Sequence, residues 1–126
     1  MGALFDGTYL LQTASLPTAA SGESLSVLLT WELVGESQGH YSVFVHLRDH
    51  GGRTVAQGDS WPSQGLRPTG TWAVGERVRD PHLVPLPQDL PAGSYTLVAG
   101  LSSGSGRLPV SSGGNEVVLG QVLIAP

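Results

Sequence analysis

Cysteine is absent from this 126-residue chain. That excludes a disulfide framework, a thiolate nucleophile and any zinc site built on cysteine. Lysine is absent as well, so the six basic residues are all arginine, and charged residues make up only 13% of the chain. With a net charge of −4, the composition lacks the basic excess that a nucleic-acid footprint needs. No apolar run approaches the ~18 residues of a membrane-spanning helix, so no direct membrane insertion is expected. The opening MGALFDG has neither a basic nor an apolar signal region and does not read as a signal peptide; Met-Gly can equally start a domain excised from a longer protein. A helical stripe is also missing, because Pro and Gly interrupt every candidate.

What is present has a period of two. In SLSVLLTWELV, residues Leu25, Val27, Leu29, Trp31 and Leu33 share one face, and Ser24, Ser26, Leu28, Thr30 and Glu32 the other, the pattern of a half-buried strand. HYSVFVHLRD places Tyr41, Val43, Val45 and Leu47 on one face, with His40, Ser42, Phe44, His46 and Arg48 opposite. The following DHGG and RTVAQGD read as a hairpin turn and its return strand. SYTLVAGL aligns Tyr95, Leu97, Ala99 and Leu101. GTYLLQTASL opens the series and NEVVLGQVLIA closes it. RVRDPHLVPL is a further strand, and Pro81 and Pro85, which lack an N–H, put it at an edge or a bend. SLPTAASGE, GESQG and SSGSG read as connecting loops.

The length suits one domain, residues 1–126, with a real hydrophobic core. Short strands separated by turn signals predict an all-β, immunoglobulin-like Greek-key sandwich of six to eight antiparallel strands. LPQDLPAGSYTL sharpens this. A Pro-Ala-Gly turn just before Tyr95 matches a tyrosine corner, in which the phenol bonds to backbone a few residues upstream. The expected core is Leu25, Val27, Leu29, Trp31, Tyr41, Val43, Val45, Leu47, Tyr95, Leu97, Ala99 and Leu101.

Five segments, VFVHLRDHGGRTVAQGDSWP, PTGTWAVGERVRD, LPQDLPAGSYTLVAGL, RLPV and VVLGQVLI, come in an order that resembles a bacterial domain type. It is the β-sandwich domain at the extracytoplasmic C-terminus of membrane glycosyltransferases of the protein-mannosyltransferase type, found also in other large surface proteins. The likeness runs from about ALFDGTYLL onward. It departs at SSGSGRLP, where the family often carries a Tyr-Asp-rich turn. The resemblance implies an accessory module outside the membrane, at the cell surface or secreted, whose partners are other domains of a parent protein. It does not imply transferase activity, which belongs to a membrane domain.

The residues point to no catalytic centre. There is no G-x-S-x-G elbow and no paired-carboxylate motif. His40 and His46 share a strand face but are six residues, roughly 20 Å, apart, too far for a common metal. No cofactor or metal is expected. The segment from Asp59 to Asp80 concentrates the candidate binding residues. Asp59, Trp61, Arg67 and Trp72 form a set in which aromatics would stack on sugar rings while Asp and Arg bond hydroxyls. Trp72 is better read as an anchor folded under the crossover, since burying ~150 Å² contributes on the order of 4 kcal/mol. Trp61 is the stronger ligand candidate. Arg77, Arg79 and Asp80 would hold an acidic glycan or phosphate, or else pair within the domain with Glu76 or Asp59. The expected function is a non-catalytic structural or interaction module; the alternative is a carbohydrate-binding module for cell-surface glycans.

Overall fold

The computed structural model describes residues 2–16, 18–37 and 39–126. The period-two runs become strands: β1 (Ala3–Phe5), β2 (Tyr9–Ala14), β3 (Ala19–Ala20), β4 (Ser24–Leu33), β5 (Ser42–Arg48), β6 (Thr54–Gln57), β7 (Arg77–Pro85), β8 (Gly93–Ser103), β9 (Gly106–Arg107) and β10 (Val117–Ala125). The count exceeds the expected six to eight because β1, β3 and β9 are pieces of two or three residues. Two of these, β3 and β9, lie in segments expected to be plain loops.

The strands form two packed sheets. One has the order β1-β2-β4-β7; the other has the order β3-β10-β8-β5-β6, with β9 on the end of β8. Pairing is antiparallel throughout except between β3 and β10, which run parallel, Ile124 opposite Ala19 and Ala125 opposite Ala20. The expectation of purely antiparallel strands is corrected there. β7 pairs with β4 from Ser24–Pro85 to Glu32–Arg77 and is the last strand of its sheet, the place where Pro81 and Pro85 are tolerated.

Between the sheets lie the inward residues of β4 (Leu25, Val27, Leu29, Trp31, Leu33), β5 (Val43, Val45, Leu47) and β8 (Tyr95, Leu97, Ala99, Leu101), all buried. Tyr41 is only partly buried against them. Phe5, Tyr9 and Leu11 complete the layer from β1 and β2. Phe5 meets Trp31 edge-on at 5.6 Å between ring centroids.

A small second cluster covers the outer face of β5 and β8. Phe44 and Val98 point away from the main core yet are buried. Gly100 faces Phe44 so closely that a Cβ there would strike the ring. The Arg107 guanidinium lies 4.1 Å above the Phe44 centroid, a cation–π contact. Glu116 is gripped by both guanidinium nitrogens of Arg48 and by Arg107. The Arg48 hydrogen bond holds its carboxyl below the ordinary glutamate range.

The corner before β8 forms as the sequence suggests. The Tyr95 hydroxyl donates to the Pro91 carbonyl at 2.6 Å. Tyr95→Phe should lower the unfolding free energy by about 1–2 kcal/mol, because a carbonyl is left without its partner. Urea unfolding checks this, and a cost near zero would show that the bond does not stabilise the corner.

Candidate functional site

The crossover from β6 to β7 carries residues 58–76 from one sheet to the other, and most of the candidate residues with it. It starts with a bulge. Gly58 N–H bonds Val45 O and Ser60 N–H bonds Val43 O, so the intervening Val45 N–H is met by the Asp59 carboxylate at 3.1 Å instead of a carbonyl. Asp59 also pairs with His46 at 3.3 Å. Gly58 admits no side chain, since a Cβ would land on the Leu83 carbonyl. This close approach draws the end of β6 onto β7 at the open side of the sandwich.

Behind the crossover lies a buried polar chain. The alternation of β7 turns Val78, Asp80, His82 and Val84 inward. Asp80 and His82 are 0% and 2% exposed, and His82 Nε2 lies 2.7 Å from Asp80 Oδ2. The Trp31 indole N–H donates to the same oxygen at 3.1 Å, and Ser63 N–H donates to Oδ1 at 2.8 Å. His82 Nδ1 faces the Gly58 carbonyl at 2.8 Å and Ser60 Oγ at 3.3 Å. A carbonyl only accepts, so Nδ1 carries a proton. Ser60, His82 and Asp80 therefore lie in the order of a hydrolase triad, with the nitrogen nearest the hydroxyl turned to the Gly58 carbonyl.

This chain also fixes the loop. Ser63 and Gln64 are consecutive non-glycine residues at φ 54° and 57°, a left-handed conformation that costs roughly 1–2 kcal/mol per residue. The Ser63 amide is held by Asp80, and its hydroxyl donates to Arg79 O at 2.6 Å. Asp80 is thus spent inside the domain, so the reading that set it beside Arg79 for an acidic ligand is corrected. The outward positions of β7 leave Arg77 and Arg79 exposed. Arg77 lies 3.7 Å from Glu32, not from Glu76 or Asp59, and Arg79 has no ion-pair partner among the described residues.

The far half of the crossover is anchored by Trp72, which is 5% exposed. Its ring lies 6.1 Å from Tyr9 and 6.5 Å from Trp31, and its indole N–H donates to Arg67 O at 2.9 Å. The Arg67 side chain is tied to Glu76 at 2.7 Å. The Ala73 amide and Arg67 together hold the Glu76 carboxyl below its ordinary range. So Arg67 and Trp72, grouped by sequence with a ligand set, serve to close the loop.

Trp61 is different. It is 46% exposed and stacks at 5.5 Å and 35° on His40. Sequence reasoning passed over the supports of this pair. His40 Nδ1 accepts the Gly70 N–H at 3.1 Å, and a Cβ on Gly70 would overlap the imidazole. Fully buried Thr69 donates to Gly39 O at 2.6 Å and accepts Tyr41 N–H at 2.9 Å. The Pro-Thr-Gly step was the available signal: a small hydroxyl and a glycine where two loops must touch.

A groove of about 390 Å³ lies beside the Gly58–Leu83 contact, lined by Gln57, Asp59, Ser60, Gln64, Leu83 and Pro85 over a His82 floor. Trp61 and Arg67 are not among its walls, so the structure divides the predicted set into a groove, a closed loop and a displayed aromatic. Among the described residues no group of three acidic or histidine side chains is placed to hold a metal ion. No helix is long and apolar enough to cross a membrane. No protein-family model matches the chain, and no curated protein matches it.

Proposed function

We propose that the chain is a non-catalytic accessory module of a larger bacterial surface or membrane-anchored protein, working outside the cytoplasm as an interaction domain. We read its sandwich as immunoglobulin-like with Greek-key connections. The parallel docking of β3 on β10, the placing of β4 and β7 in one sheet and β5, β8 and β10 in the other, and the Tyr95–Pro91 bond support that topology. The order of sequence segments supports the parent type.

The observation that carries the interaction reading is Trp61. A large aromatic half in solvent, on a loop clamped by Thr69, Gly70 and the Asp80 chain, is a preorganised contact at little entropic cost. Other domains of the parent are its expected partners. The same displayed ring favours the second reading, a carbohydrate-binding module, because a fixed indole can stack on a sugar face.

Trp61→Ala should leave unfolding within about 0.5 kcal/mol of wild type, as for an ordinary surface change, while removing whatever docks there. A glycan array with tryptophan fluorescence separates the two readings. A glycan hit selects the second reading, with loss on Trp61→Ala placing that glycan on the ring, and an empty array leaves the domain contact. Ester or glycoside turnover that Ser60→Ala abolishes would overturn the non-catalytic reading.

A further inference from the structure

We propose that the groove between β6 and β7 is a binding subsite for one neutral pyranose ring, separate from the Trp61 surface. The inference deepens the glycan reading and rests on it. At about 390 Å³ the groove sits near the lower end of small-ligand pockets, which run roughly 300–1,000 Å³; that suits a single ring rather than an oligosaccharide. Leu83 and Pro85 make part of the groove's lining apolar, and Leu83 is 52% exposed on β7. The rest of the lining comes mainly from Asp59, Ser60, Gln57 and Gln64, residues with carboxylate, hydroxyl and carboxamide side chains. A lining that combines apolar side chains with hydroxyl, carboxylate and carboxamide residues is complementary to a pyranose, whose C–H face is apolar and whose equatorial hydroxyls both donate and accept.

Charge narrows the class. No arginine lines the groove, and Asp59 does, so a phosphate or uronate would meet repulsion. Asp59 already receives Val45 N–H and pairs with His46, and Gln57 Nε2 lies 3.3 Å from it, which lowers its demand for a cationic ligand. A neutral polyol remains.

The groove is also built rather than incidental. Its floor, His82, is fixed from both ring nitrogens. Gln64 stands on it only because the backbone holds a left-handed pair against its preference, pinned by Asp80 through Ser63. Strain retained in this way marks positions where placement of a group matters.

The test is an amide-resolved NMR titration of the whole chain with methyl glucoside, galactoside, mannoside and N-acetylglucosaminide, repeated on Gln64→Gly and Trp61→Ala. Gln64→Gly removes the carboxamide, and glycine suits the φ of 57°, so the variant should be at least as stable as wild type. Lost binding then cannot be lost folding. Expected are shifts at Gly58, Ser60 and the side-chain amides of Gln57 and Gln64 for at least one glycoside. Binding should be about tenfold weaker in Gln64→Gly, the size of one lost hydrogen bond, and unchanged in Trp61→Ala. Shifts centred on the Trp61 indole and indifferent to Gln64→Gly would overturn the subsite and leave the glycan reading standing. No shift with any glycoside while an array still scores a glycan would overturn the subsite alone, and silence in both would remove the glycan reading as well. Stronger binding of glucuronate than of glucoside would overturn the neutral assignment.

Discussion

Asp80→Ala should lower the unfolding free energy by about 3–5 kcal/mol, since each buried donor left without its acceptor costs about 1–3 kcal/mol. Three donors lose their acceptor at once: the His82 ring, the Trp31 indole and the Ser63 amide. Neither the Trp31 indole nor the His82 ring can turn to water, because both are buried. Domains of this size have about 5–15 kcal/mol in total, so the variant should unfold far earlier in urea. The Ser63–Gln64 pair would also lose the bond that holds its left-handed backbone. Replacing both partners by apolar residues, Asp80→Leu with His82→Leu, should recover part of the loss, since no unpaired polar group then remains in the core. If Asp80→Ala costs less than about 1 kcal/mol, water reaches the site and the chain is not the clamp described above.

The alternation of hydrophobic residues made the sandwich legible. Leu25 to Leu33 and Val43 to Leu47 needed only their own period to show which face goes in, because a one-residue slip would reverse every side chain. The edge position of β7 followed from Pro81 and Pro85, and the corner from a turn placed just before Tyr95. Each of these signals is local, and the physics that sets it acts within a few residues.

The missed features depend on distant segments meeting. β3 is two residues long, and only the C-terminal end of β10 beside it makes it a strand. Phe44 reads as outward, and so it is, yet Arg107 lies over its ring. The Asp80–His82 pair had a partial signal, since two residues apart on a strand is one face and their neighbours Val78 and Val84 are apolar. Sequence spacing placed Asp80 with Arg79 instead, its neighbour along the chain but on the opposite face. Trp61 and Trp72 were separable only in outline. What settles their fates is that Thr69 and Gly70 bring the 39–41 segment against the crossover, a contact between residues about thirty apart.

Trp72→Ala should cost about 3–5 kcal/mol, the range for truncating a buried large aromatic. The indole fills the space between the crossover and the β2–β4 face, beside Tyr9 and Trp31. Its loss also leaves Arg67 O without a donor. That uncouples the Arg67–Glu76 tie from the loop it closes. Trp72→Phe separates the two contributions, because it keeps most of the apolar volume and deletes the N–H. It should cost distinctly less than Trp72→Ala if packing dominates, and nearly as much if the Arg67 bond does. Set beside Trp61→Ala, which should scarcely change stability, the pair of measurements assigns the two tryptophans of one loop to opposite duties. Equal costs would show that the crossover packs as one unit and that Trp61, despite its exposure, is also an anchor.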